Sequence, residues 1–107
     1  MDRHRLAELT SLRLHAEIAG RLADEPELVD RARARVASWL ETGSVRAPYA
    51  EAWAAALAGP LEMLHALLID DGEEARALRQ ASPFAGAIDP RRRWAIWRQV
   101  RAEAERG

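Results

Sequence analysis

The chain has 107 residues but contains no cysteine and no lysine, and it has only one tyrosine and one phenylalanine. Without cysteine, neither a disulfide framework nor a thiolate metal site can form. No apolar run reaches the roughly 18 residues that a membrane-spanning helix needs. The first residues, MDRHRLAELT, are charged and do not have a signal-peptide pattern. We therefore expect a cytoplasmic protein that does not enter the membrane.

All basic residues are arginine, and the sixteen arginines nearly balance seventeen acidic residues, which gives a formal net charge of −1. Arginine makes bidentate contacts to carboxylate and phosphate better than lysine does, although a GC-rich coding sequence also produces this composition. A general nucleic-acid-binding protein normally carries a basic excess. Any binding to nucleic acid must therefore come from a local basic patch.

Apolar residues recur at helical spacing along almost the whole chain, and no run shows sustained strand-like alternation. The length fits a single domain, 1–107, in which residues 1–10 either continue into the first helix or form a separate arm. In the second case Thr10 and Ser11 would cap a new helix. We predict an all-α fold, a compact bundle of five to six short helices.

Residues that typically start or stop helices divide this pattern into six segments. The predicted boundaries are about 3–23, 24–43, 48–59, 60–70, 71–81 and 89 to the last turn. Asp71 and Glu74 resemble a capping box, whereas Asp89 followed by Pro90 is a common helix start. Trp39 and Trp53 each close an apolar stripe, so we expect both indoles to be buried.

The last helix carries its charges at the unfavourable ends. Arg91, Arg92 and Arg93 lie in its first turn, where the helix dipole is positive. One interpretation is that they pair with the acidic residues just before this segment. The other is that, with the free N–H groups of the helix start, they bind an anionic partner or a phosphate. The acidic residues concerned are Asp70, Asp71, Glu73 and Glu74.

Two tryptophans, Trp94 and Trp97, lie about one turn apart on the same helix. They are either core anchors or part of an interface hot spot, in which tryptophan and arginine are both enriched. Phe84 precedes the helix and is expected to pack beneath it. The candidate partner-binding residues all come from this C-terminal segment: Phe84, Arg91, Arg92, Arg93, Trp94, Trp97, Arg98 and Arg101.

The sequence offers no recognisable pattern for catalysis, metal binding or cofactor binding. His4, His15 and His65 are isolated and have none of the usual metal-ligand spacings. The run IDDGEE lacks the alternating ligands of a calcium loop. No glycine-rich phosphate loop is present, and no serine lies in a nucleophile elbow. We therefore expect no enzyme activity, no catalytic residues, no metal and no cofactor.

The run LRQASPFAGAIDPRRRWAIWR, residues 78–98, resembles the C-terminal signature of a family of small all-helical bacterial proteins. The usual form in that family is close to LRQSSPFAGVL-P-ERW-I-R, often with a run like PLE-LL-LL-DD in the middle of the chain. Several members are encoded beside a nucleotidyltransferase-like or other toxin. The resemblance covers the chain from about Ser11 and implies an antitoxin-like role. This chain lacks a polar, disordered tail that could wrap a toxin, so a folded surface would have to bind it.

We predict an antitoxin-like protein-interaction module whose partner is an operon-encoded toxin or a second copy of this chain. One alternative is a nucleic-acid-binding transcriptional regulator that uses the arginine-rich final helix. A helix-turn-helix over 60–81 is disfavoured, because Glu73 and Glu74 would lead its second helix into the DNA groove. A further alternative is a structural or oligomerisation domain.

Overall fold

The computed structural model describes residues 2–106, which form six α-helices and no strand. The helices are α1 (Arg3–Arg21), α2 (Glu27–Thr42), α3 (Ala47–Ala58), α4 (Leu61–Ile69), α5 (Glu73–Arg79) and α6 (Pro90–Arg106). This architecture confirms the predicted all-α bundle of five to six helices. No helix in the described part of the chain is long and apolar enough to cross a membrane.

Capping interactions that are visible in the sequence set several helix ends. The carboxylate of Asp2 accepts the backbone N–H of Arg5 at 2.7 Å at the start of α1. Asp89 accepts that of Arg92 at 3.0 Å at the start of α6, as its place before a proline predicts. Gly43 ends α2 with a φ of 71°, a left-handed conformation that suits glycine.

Other boundaries differ from the prediction. α1 continues without a break through Thr10, whose hydroxyl donates to a carbonyl of the preceding turn, so no second helix begins there. α2 begins at Glu27 rather than near Asp24, and α5 ends at Arg79 rather than at Ala81. Helix ends are the least certain part of any sequence-based assignment, because the last turns are held by few interactions.

The capping box predicted from Asp71 and Glu74 does not form. The cap residue of α5 is Gly72, and no side chain caps this helix. The Gly72 N–H donates instead to the carboxylate of Asp70 at 2.8 Å. Asp71 accepts a hydrogen bond from Arg76 at 3.0 Å, which lowers the pKa of its carboxyl group.

The core is centred on Trp53, which is fully buried. Its indole Nε1 donates to the backbone carbonyl of Leu78 at 3.0 Å. Phe84 packs edge-on against the same indole, with the ring centroids 6.1 Å apart. Large apolar residues from the first four helices and the start of the turn after α1 complete this cluster: Ile18, Leu22, Leu28, Val36, Leu57, Leu64 and Leu68. Trp39 packs at the edge of the cluster and is only partly buried, so its predicted burial is confirmed only in part.

α1 is the helix to which α6 is attached. Ile96 and Val100 of α6 are buried. Two ion pairs join the same two helices, Arg92 with Glu17 at 2.7 Å and Arg13 with Glu103 at 2.7 Å. α1 also packs against α4 and α5. The position of α6 is therefore set by contacts with residues far away in the sequence.

We expect Trp53→Ala to lower the free energy of unfolding by about 3–5 kcal/mol, since it removes a fully buried indole and leaves a cavity. Trp39→Ala is the matched control and should cost clearly less, because the Trp39 indole is already partly hydrated. Urea unfolding followed by circular dichroism measures both. A larger loss for Trp39→Ala than for Trp53→Ala would contradict the assignment of the core.

Candidate functional site

A groove of about 670 Å³ lies between α1, the connection 80–88 and α6. Its size is within the range of roughly 300–1,000 Å³ that is typical of ligand sites. Apolar side chains, among them Leu14 and Ile88, form much of its lining. Its charged residues are all arginines, namely Arg3, Arg79, Arg93 and Arg101. Within residues 2–106, no aspartate or glutamate lines the groove.

Trp94 and Trp97 stack on each other beside this groove, with ring centroids 4.8 Å apart and planes inclined by 14°. The Arg101 guanidinium lies 5.1 Å from the centroid of the Trp97 ring, within the range of a cation–π contact. Trp94 is 56% exposed, so it is not a core anchor. We call Arg93, Trp94, Trp97 and Arg101 the Arg–Trp face.

The groove and the Arg–Trp face are continuous. The surface depression around Trp94 shares Thr10, Leu14, Arg93 and Trp97 with the groove. Arg93 and Trp97 follow one turn apart on α6, which places both side chains toward α1. A partner group that contacts Trp94 can therefore extend into the groove.

The three arginines at the start of α6 have different environments. Arg92 donates to the carboxylate of Glu17, and this hydrogen bond raises the pKa of Arg92 above its ordinary value. The interpretation in which these arginines pair with the acidic residues at 70–74 is wrong, because Arg92 pairs with Glu17 and Asp71 contacts Arg5 and Arg76. Neither Arg91 nor Arg93 has an ion pair with any other described residue.

Three candidate residues do not contribute an exposed contact at the groove. Phe84 is only 4% exposed and belongs to the core, where it packs against Trp53 rather than simply beneath α6. Arg91 and Arg98 are exposed but do not line the groove or the depression around Trp94. They are about two helical turns apart, which places them on one side of α6, away from the groove.

His15 lines the groove but was not among the residues predicted for the site. Its Nδ1 lies 2.7 Å from the carbonyl oxygen of Ser11, and its Nε2 lies 2.7 Å from Oγ of Ser82. A carbonyl oxygen only accepts, so Nδ1 carries the proton and the neutral Nε2 accepts from the serine hydroxyl. His15 and Ser82 are 67 positions apart, and no local pattern links them.

The surroundings of His15 favour the neutral imidazole. Burial lowers the pKa of His15 below its ordinary 6.5, and the charges of Arg79 and Arg93 lower it further. The hydrogen bond to the Ser11 carbonyl opposes this effect. The cations of the groove therefore lie close enough to His15 to influence its protonation.

Arg79 was also missed by the sequence analysis, because an arginine near a helix end is usually solvated. It is only 5% exposed, and its Nη1 donates to the backbone carbonyls of Leu67 in the last turn of α4 and of Asp70 just after it. Burial lowers the pKa of this guanidinium. No described carboxylate lies within ion-pair distance of it.

The described part of the chain has no cluster of three or more histidine, cysteine, aspartate or glutamate side chains that could hold a metal ion. No protein-family model, curated protein or solved structure matches this chain. The resemblance of residues 78–98 to small antitoxin-like proteins therefore remains a prediction.

We expect Arg92→Gln to lower the melting temperature, because it removes the ion pair with Glu17 that joins α6 to α1. Arg91→Gln is the matched control from the same helical turn. It should leave the melting temperature unchanged or raise it slightly, since it removes an unpaired cation from a helix N-terminus. Thermal unfolding by circular dichroism at low salt measures both. Equal destabilisation by the two substitutions would contradict the assigned difference between them.

We also expect the stability to fall as the pH drops below 6.5. The pKa of His15 is lowered in the folded state, so the unfolded chain binds more protons in this range. The stabilising contribution is complete above the unfolded pKa and declines until the pH reaches the folded pKa. His15→Gln should flatten the melting temperature between about pH 7 and 5.5, whereas His65→Gln, exposed on α4, should not. An unchanged slope in His15→Gln would contradict the assignment.

Proposed function

We propose that this chain is a protein-interaction module that docks a folded partner protein through the Arg–Trp face. The observation that carries this proposal is the exposed Trp94, which is held by stacking on Trp97 next to two arginines. Tryptophan and arginine are the residues most enriched in binding hot spots. An aromatic pair that is already ordered also loses little side-chain entropy on binding.

The charges indicate what kind of partner fits. The Arg–Trp face and the adjoining groove are cationic, although the whole chain has a net charge of −1. Arg93 has no ion pair with any other residue from 2 to 106, so a carboxylate from a partner could pair with it. Such complementarity speeds encounter and disfavours wrong partners. The expected partner therefore presents acidic groups next to apolar ones.

The resemblance of residues 78–98 supports a more specific version of this proposal. In that version the partner is a toxin, for example a nucleotidyltransferase-like protein, encoded in the same operon. The module neutralises it by occupying its surface. The contact uses a folded helix, since α6 extends from Pro90 to Arg106. The proposal includes no catalytic step by this chain.

A nucleic-acid-binding regulator is a second candidate, and one observation favours it. Arg91 and Arg98 are exposed on one side of α6, and neither has an ion pair with another described residue. Exposed arginines in a row can contact successive phosphates. The balanced net charge is the opposing argument, because electrostatic attraction supplies most non-specific affinity.

To test the docking proposal, the chain is co-expressed with the product of each adjacent reading frame, and any complex is measured by calorimetry. We expect Trp94→Ala to weaken binding at least about tenfold, as for other hot-spot truncations. Arg93→Gln should also weaken it. Arg98→Gln, an exposed arginine of the same helix outside the Arg–Trp face, is the control and should bind like the original chain. For the antitoxin version, Trp94→Ala should also fail to rescue growth of cells that produce the neighbouring protein.

Two results would overturn the proposal. The first is unchanged affinity of Trp94→Ala and Arg93→Gln for the partner. The second is binding to nucleic acid that is lost with Arg91→Gln and Arg98→Gln and falls steeply with salt, because counterion release at phosphates produces such a dependence. The second result would establish the regulator instead.

A further inference from the structure

Some N–H donors of the Arg79 guanidinium have no acceptor among the described residues. The guanidinium group has five N–H donors, but only Nη1 of Arg79 donates to described residues, to the carbonyls of Leu67 and Asp70. Its Nε and Nη2 atoms have no hydrogen-bond partner, and neither atom is completely shielded from solvent. Arg79 is buried, with only 5% of its surface exposed, yet it lines the groove. Burial disfavours this cation, and the nearby carboxylates of Asp70, Asp71 and Glu8 oppose that effect without forming an ion pair with it, so an anion in the groove would stabilise it further.

Arg93 provides a second cation at the same place. It reaches the groove from α6, whereas Arg79 reaches it from the end of α5. Both charges act on His15, which lies between Ser11 and Ser82 in the lining. Arg79 and Arg93 both line the groove, and both are close enough to His15 to influence its pKa. An anion bound in this part of the groove would be attracted to both.

The rest of the lining is apolar and fits neighbouring groups without charge. Leu14 and Ile88 line both the groove and the depression at Trp94, together with Trp97. A free inorganic anion would leave these surfaces without a partner. An acidic side chain between apolar side chains would contact the arginines and the apolar walls at the same time.

We propose that the groove binds a carboxylate anchor of the partner protein, an aspartate or glutamate flanked by apolar residues, whose oxygens are held by Arg79 and Arg93. This inference rests on the proposed function and specifies which group of the partner enters the groove. A guanidinium and a carboxylate can form two parallel hydrogen bonds, so the Nε and Nη2 atoms of Arg79 can donate to the two carboxylate oxygens together. The flanking apolar residues of the partner then lie against Leu14, Ile88 and the Arg–Trp face.

The test uses the full chain and two blocked peptides, acetyl-Ala-Leu-Glu-Leu-Ala-amide and the same peptide with glutamine in place of glutamate. Titrations are followed by proton–nitrogen NMR of the arginine Nε–H and tryptophan indole signals. We expect the glutamate peptide to shift the signals of Arg79 and Trp97 and to bind at least about tenfold more tightly than the glutamine peptide. Inorganic phosphate should bind more weakly than the glutamate peptide, because it makes no apolar contacts.

Variants localise the effect. Arg93→Gln should weaken binding of the glutamate peptide several-fold, whereas Arg98→Gln on the far side of α6 should not change it. Arg79→Lys keeps the positive charge but loses the fork geometry, so it should also weaken binding. The indole signal of Trp53, which is hydrogen-bonded in the core, reports whether this variant remains folded. If Arg79→Lys does not fold, the proposal is tested by whether Arg93→Gln weakens binding of the glutamate peptide.

Equal affinity for the two peptides, or equal loss in Arg93→Gln and Arg98→Gln, would overturn the carboxylate anchor. Tighter binding of phosphate than of the glutamate peptide would overturn it too and would identify a site for free anions. Failure of the proposed function is distinguishable from these outcomes. Selective binding of the glutamate peptide with no binding to either neighbouring protein would contradict the operon-encoded partner. Partner binding that Arg79→Lys and excess glutamate peptide leave unchanged would contradict the anchor alone.

Discussion

The packing of Trp53 against the last turn of α5 and the connection that follows it is the interaction on which the rest of the structure depends. The indole binds the Leu78 carbonyl through Nε1 and contacts the ring of Phe84. Both contacts hold the chain just before and just after Ser82. Ser82 in turn receives the Phe84 N–H and contacts His15 on α1. One buried aromatic residue thereby positions the wall that separates the core from the groove.

The chain meets its electrostatic requirements with arginine alone, and the structure uses arginine in three ways. Arg92 and Arg13 form ion pairs that join α1 to α6. Arg79 donates to backbone carbonyl groups at the C-terminal end of α4, where the last carbonyls of a helix have no partner four residues further on. Arg93 has no ion pair with any residue that the structure describes and lines the groove. Of these arginines at the start of α6, Arg92 is therefore held in an ion pair, whereas Arg93 is not.

The sequence located the candidate surface only in part. Trp94, Trp97, Arg93 and Arg101 were predicted and do form one continuous face. The sequence alone could show that these side chains are neighbours, because all four residues lie on one helix, where spacing determines which side chains are adjacent. The sequence could not indicate His15 and Arg79 in this way. Each resembles an ordinary residue of an amphipathic helix until the packing of other helices buries it.

The sequence alone determined the helical class and most of the helix positions, because capping and apolar periodicity are local interactions within a few residues. Only the tertiary structure decided which arginines form ion pairs and which do not. Arg92 pairs with Glu17 across 75 positions and Arg13 with Glu103 across 90. By charge alone, any of several nearby acidic residues could have formed an ion pair with these arginines equally well. The choice follows from how α6 packs on α1, a geometry that depends on the whole core.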